Sequence, residues 1–104
     1  MLKAEIPNLS RKEYQILKLL LNNGREMYGL QFVKCSNGGI KRGTLYTTLS
    51  RMEDKGLVES RKETDPPEGL FAPRRLYSIS GLGRRTLSQW EIDQIAMITG
   101  VSQL

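Results

Sequence analysis

The sequence contains no histidine and only one cysteine, Cys35. The commonest general base and metal ligand is therefore missing. One thiol makes neither a zinc site by itself nor a disulfide framework. There is also no glycine-rich phosphate loop and no nucleophile motif, so no catalysis, cofactor or metal is expected. Aromatic residues are few, Phe32, Phe71, Trp90 and four tyrosines, which leaves the core to aliphatic side chains. The longest apolar stretch, Ile16 to Leu21, is broken by Lys18, far short of the ~20 residues that cross a bilayer. Met1-Leu2-Lys3-Ala4-Glu5 has neither the basic start nor the apolar run of a secretory signal. These absences predict a cytoplasmic protein with no membrane role. Cys35 is expected to be a buried structural thiol, because no neighbour in sequence lowers its pKa.

Positive charge is plentiful. In 104 residues, one domain's worth, sixteen Lys and Arg stand against eleven Asp and Glu, a net charge of +5. Such a balance favours a polyanionic partner, nucleic acid or an anionic membrane. The basic residues pair up as Lys41-Arg42, Arg61-Lys62, Arg74-Arg75 and Arg84-Arg85.

Hydrophobic spacing gives the order of elements. Ser10 and Glu13 form a capping-box signal, with Leu9 placed to staple onto Tyr14. Ile16, Leu17, Leu20 and Leu21 follow at helical spacing, and Asn22-Asn23-Gly24 is a stop. A second helix is predicted from about Met27 to Cys35, with Leu30 and Val33 on its inner face. A third starts near Lys41, carries Leu45, Leu49 and Met52 inward, and ends at Gly56. Leu57 to Glu63 and Arg74 to Ile79 read as two strands, and the proline-rich Thr64–Pro73 between them as an exposed hairpin tip. Ser80 caps a fourth helix. The expected class is α+β, mainly α: a winged helix-turn-helix of three helices, a β-hairpin wing and a C-terminal dimerisation helix. Residues 1–80 are the predicted DNA-binding domain, and residues 81–104 a helix packed on it.

Leu9-Ser10, Glu13, Ile16-Leu17, Tyr28-Gly29, Gly43-Thr44-Leu45-Tyr46-Thr47-Thr48-Leu49, Met52-Glu53 and Lys55-Gly56-Leu57-Val58 stand in an order that resembles the PadR-like winged-helix transcription regulators. Arg74-Arg75-Leu76-Tyr77-Ser78-Ile79 and Ser80 with Gly83 continue the pattern. The resemblance covers about residues 9 to 90. It implies a homodimeric regulator, usually a repressor, bound to a palindromic operator in double-stranded DNA. The proline-rich wing tip is longer than in short relatives, and the sequence stops soon after the fourth helix. Dimerisation is therefore expected to fall to that helix.

With Leu45, Leu49 and Met52 inward, helical geometry sets Gly43, Thr47, Ser50 and Asp54 outward. Thr44 and Arg51 lie on one flank and Tyr46 on the other. Small hydroxyls and an arginine suit a groove and its phosphates; the bland alternative is a solvated helix face. Lys41 and Arg42 add charge at the helix start. Tyr46 is expected to touch phosphate or to pack its ring on the first helix. Tyr28 is expected to contact the DNA backbone or the core. Gly29, which costs a helix about 1 kcal/mol, implies a close approach. Arg61, Lys62, Arg74 and Arg75 are wing cations with few acids expected nearby, directed at phosphates or the minor groove.

In the fourth helix Leu87, Trp90, Gln94, Met97 and Val101 recur at alternating three- and four-residue spacing. They are the predicted dimer interface, with Ile92 and Ile95 on another side. A flat aromatic effector beside Trp90 is implied by the family resemblance, against plain interface packing. Two other functions fit the same fold: a protein-interaction module with negligible salt-dependent DNA affinity, and an architectural DNA binder with little sequence preference.

Overall fold

Helix α1 (Arg11–Asn23) begins where the Ser10 hydroxyl accepts from the Glu13 amide at 3.2 Å and Glu13 Oε1 accepts from the Ser10 amide at 2.8 Å. It ends at Gly24, whose left-handed φ of 71° lets its N–H reach the Leu20 carbonyl at 3.1 Å. In this computed structural model residues 7–64 and 73–99 are described, the last without its side chain. Most of the hairpin tip, and Val101 of the predicted interface, lie outside them.

The second element differs from expectation. Met27–Tyr28 is a short strand, β1, and the helix, α2, spans Gly29–Cys35. Local periodicity is overruled by pairing: Met27 lies opposite Tyr77 and Tyr28 opposite Leu76 on a strand fifty residues further along the sequence. Gln31 Oε1 accepts from the Tyr28 amide at 2.9 Å, so this strand end also starts the helix. Phe32 is buried, but Leu30, predicted inward, is 43% exposed. Cys35, expected inside, is exposed, because it lies in an open groove beside Tyr14, Gln15, Lys18 and Leu19 of α1 and not beneath it.

Helix α3 (Arg42–Asp54) buries Leu45, Leu49 and Met52 completely, as its spacing predicts. Lys55 and Gly56 (φ 80°) turn the chain into β2 (Val58–Lys62), which pairs with β3 (Arg75–Ile79). The antiparallel sheet is therefore three-stranded, in the order β1-β3-β2. One face of it carries Met27, Val58 and Tyr77 into the core with Ile16, Leu17, Leu20, Phe32 and Ile40.

Helix α4 (Gly81–Thr99) is seated on the corner between α3 and β2. The Ser80 hydroxyl donates to the Gly56 carbonyl at 2.6 Å and accepts from the Gly83 amide at 2.9 Å. A Cβ on Gly83 would stand 2.2 Å from the Leu57 carbonyl oxygen, so only glycine allows this approach. Leu87 is 1% exposed within its own core and cannot face a second subunit, which corrects the sequence assignment. Its side of α4 rests on the domain, where Trp90 stacks on Tyr14 at 4.2 Å between ring centroids. Met97 of the predicted interface is exposed, together with Ile92, Ile95 and Ile98. Among the described residues no helix is long and apolar enough to cross a membrane.

One ion pair joins distant parts of the chain. Lys55 Nζ donates to both oxygens of buried Glu13, at 3.0 and 2.9 Å, and to the Asn8 carbonyl at 3.1 Å. Burial alone pushes the Glu13 carboxyl up, but the Ser10 amide and the Lys55 ammonium together hold it below the ordinary range. An ionised Glu13 thus stabilises the fold above its unfolded pKa of about 4.3. That stability is lost as pH falls through the lower folded value. Glu13→Gln is expected to cost roughly 1–3 kcal/mol at neutral pH, measured as the urea midpoint. The gap from wild type should close in acid, and parallel pH profiles would show that the pair contributes nothing.

Candidate nucleic-acid interface

The outward side of α3 presents Arg42, Gly43, Thr44, Thr47, Ser50 and Arg51, all exposed, with Lys41 exposed just before the helix. Thr47 and Thr48 satisfy their hydroxyls on the carbonyls of Gly43 and Thr44, at 3.5 and 2.8 Å. Thr47 therefore lies close to its own helix, which keeps the exposed face shallow, while Thr48 is buried beneath it.

Tyr46 leaves α3 in a direction that sequence analysis did not foresee. Its ring lies over the start of α2, not α1: a Cβ on Gly29 would stand 2.1 Å from the phenol oxygen and 2.7 Å from Cζ. Gly29 thus makes room for a side chain, and Tyr46 keeps 45% of its surface exposed. Beside it opens a cleft of ≈ 400 Å³ lined by Tyr28, Gly29, Leu30, Arg42, Tyr46, Arg74 and Arg75. Three segments far apart in sequence meet there. Pairing of β1 with the middle strand brings Tyr28 to the wing base, and the packing of α3 brings Arg42 and Tyr46.

The wing cations are not equivalent. Lys62 and Arg75 are exposed and lie directly opposite each other in the β2–β3 register. Arg75 also donates to the Ser60 hydroxyl at 3.0 Å, which in turn donates to Glu53 at 2.7 Å. Strand alternation turns Arg61 to the other side, where its Nε and Nη2 donate to Glu26 at 2.7 and 2.6 Å. Arg74 Nε and Nη2 donate to Glu63 at 3.1 and 2.7 Å, while its guanidinium lies 3.9 Å from the centre of the Tyr28 ring. The expectation of few acids at the wing base is therefore corrected: Glu26 and Glu63 each hold one of the four cations. The Arg61 and Arg74 hydrogen bonds keep the carboxyls of Glu26 and Glu63, respectively, below the usual range. Glu63 was open to discovery from the hairpin register, which sets it across from Arg74. Glu26 was not, because its approach depends on β1.

The described residues include no group of three or more potential metal ligands among Asp, Glu and Cys. The cleft touching Trp90, between Leu9 and Gln89, measures ≈ 150 Å³.

The sequence pattern of the transcriptional regulator PadR-like family matches residues 16–89. No curated protein matches the chain. Among solved structures, a PadR family transcriptional regulator from Eggerthella lenta is 28% identical, with a TM-score of 0.68 over 88% of this chain and 80% of that one. A PadR family transcription regulator from Clostridium difficile is 24% identical, with a TM-score of 0.64 over 86% of this chain and 96% of the other. PadR of Bacillus subtilis, solved in complex with operator DNA, is 23% identical with a TM-score of 0.67. That match covers 79% of this chain and 47% of the Bacillus protein.

Gly29→Ala is expected to move the Tyr46 ring, because the clash falls on the far end of a flexible side chain. Tyr46 ring resonances should shift while the unfolding free energy changes by less than about 1 kcal/mol. Unmoved resonances would mean that the ring does not occupy the Gly29 notch.

Proposed function

The chain belongs to the PadR-like family of transcriptional regulators, and we propose that it binds a palindromic operator as a homodimer and represses transcription there. The observation that carries this reading is the convergence of Tyr28, Arg42, Tyr46, Arg74 and Arg75 on one cleft beside the exposed face of α3. A helix fits the major groove of B-DNA, about 12 Å wide. With α3 in the groove, Thr44, Thr47 and Arg51 meet base edges and Lys41 and Arg42 meet the adjoining phosphates. Lys62 and Arg75 extend the contact along the backbone. Arg61 and Arg74 are the weaker of the predicted contacts, since each faces a carboxylate, Glu26 and Glu63 respectively. PadR of Bacillus subtilis, solved in complex with operator DNA, supports DNA as the partner.

A second subunit is supported by α4, whose outer half exposes Ile92 (49%), Ile95 (61%), Met97 (75%) and Ile98 (82%). Of these, Met97 belongs to the predicted interface, whereas Ile92 and Ile95 are predicted on another side of the helix. Apolar groups so exposed favour burial against a copy of themselves, and a two-fold pair sets two α3 helices on related half-sites. For an aromatic effector, the cleft at Trp90 in one subunit is smaller than the ~300 Å³ of ordinary ligand sites. Such a ligand would need walls from both subunits.

Binding of labelled duplex should weaken steeply with salt, and Arg42→Ala and Arg75→Ala should each lower the log–log slope by about 0.9 without altering the circular dichroism spectrum. Salt-independent binding, or variants identical to wild type, would favour the protein-interaction module. Selection from a random duplex pool should return inverted repeats for wild type. Ile92→Glu combined with Ile98→Glu should sediment as a monomer, and a persistent dimer would move the interface off α4.

A further inference from the structure

Arg74 is the most enclosed of the wing cations. Its side chain is 28% exposed and that of Glu63 13%, whereas Arg61 keeps 53%. The face of its guanidinium lies on Tyr28, and its Nε–Nη2 edge is taken by the Glu63 carboxylate in a two-bond fork. That edge is one of the two by which a guanidinium grips a phosphate with the same geometry, since carboxylate and phosphate present oxygens at matching spacing. Glu63 also accepts from the Arg74 amide at 3.4 Å, so it is anchored to the strand that carries its partner.

We propose that Glu63 is a built-in competitor for DNA: it occupies Arg74 in the free protein and must be displaced, or left facing phosphate at a repulsive distance, when duplex binds. The inference rests on the reading of this surface as a DNA interface and adds a residue that limits affinity there. A fixed carboxylate beside a cation subtracts most from binding that depends on charge alone, which is the non-specific part. Glu63 therefore keeps the wing from adhering to every duplex and reserves Arg74 for DNA seated deeply enough to replace it. Tyr28 keeps the guanidinium in place during the exchange, because a stacked cation can swap its in-plane partner without leaving the ring.

The test uses the full chain and a fluorescein-labelled duplex of random sequence, followed by anisotropy over a range of salt. Glu63→Gln keeps the side chain's shape and removes its charge. It is expected to tighten binding roughly fourfold near 0.2 M salt and to steepen the log–log slope by about 0.9, as one more neutralised phosphate does. In an Arg74→Ala background the same change should do nothing, because the competitor acts through Arg74. If Glu63→Gln binds equally or more weakly than wild type, Glu63 is a positioning residue for Arg74 and the proposal fails. A gain that survives Arg74→Ala reports only general charge and also overturns it. Wild type that shows no salt-dependent binding removes the DNA reading itself, an outcome distinct from either.

Discussion

The position of α3 depends on one buried carboxylate. Glu13 closes the first turn of α1 through the Ser10 amide, and both of its oxygens receive Lys55, the residue that ends α3. A charge 1% exposed is tolerable only when its lone pairs are filled, and here donors from two elements fill them. The contact registers the C-terminal end of α3 against α1 at the point where the chain must turn. From there the structure proceeds by contact. Gly56 makes the turn, the Leu57 carbonyl accepts from the Ser80 amide at 3.0 Å, and Gly83 lets α4 settle on the same corner. The sheet and the last helix thus take their position from the end of the helix proposed to read DNA.

The opposite end of α3 is arranged differently. No side chain caps its start at Lys41, whereas Ser10 caps α1 and Ser80 caps α4. Its neighbours there are the Tyr46 ring over Gly29 and the arginines of the wing base. A rigid, fully paired end and a cationic, half-open end on one helix suit a part that is held by the protein and offered to a polyanion. The wing is less positive than its composition, because Glu26 and Glu63 neutralise two of its cations locally. Net charge draws the molecule toward DNA; pairing decides how firmly each cation holds.

Much of this was legible in the sequence where the determinants are local. The Ser10–Glu13 box, the Leu45–Leu49–Met52 stripe, the left-handed Gly56 and the Ser80 cap each lie within a few residues, and all appear as expected. So does the order of the four helices and the two wing strands. Illegible features needed partners from elsewhere in the chain. β1 exists only because β3 has a free edge for Met27 and Tyr28. The predicted stripe of α4 is divided, with Leu87 buried and Trp90 stacked on Tyr14 while Met97 is exposed, since Leu87 and Ile92 are equally apolar and only the position of α1 decides which is covered. At the candidate surface, residue types located the cations but not their counter-ions. Cys35 was misplaced because its exposure turns on how closely α1 approaches it, a matter of packing between helices and not of residue type.

The stack of Trp90 on Tyr14 has a spectroscopic consequence. Trp90 is the only tryptophan in the sequence, so all indole emission of this protein originates at the seam between α1 and α4. On the same α4 turn Glu91 accepts from the Tyr14 hydroxyl at 3.1 Å and from Lys18 at 3.1 Å, which holds the two rings together. Light emitted at that wavelength therefore reports the separation of two helices. Any event that lifts the last helix from the first, whether a second subunit, a wedged ligand or heat, writes itself into the colour and lifetime of a single fluorophore supplied by the chain itself.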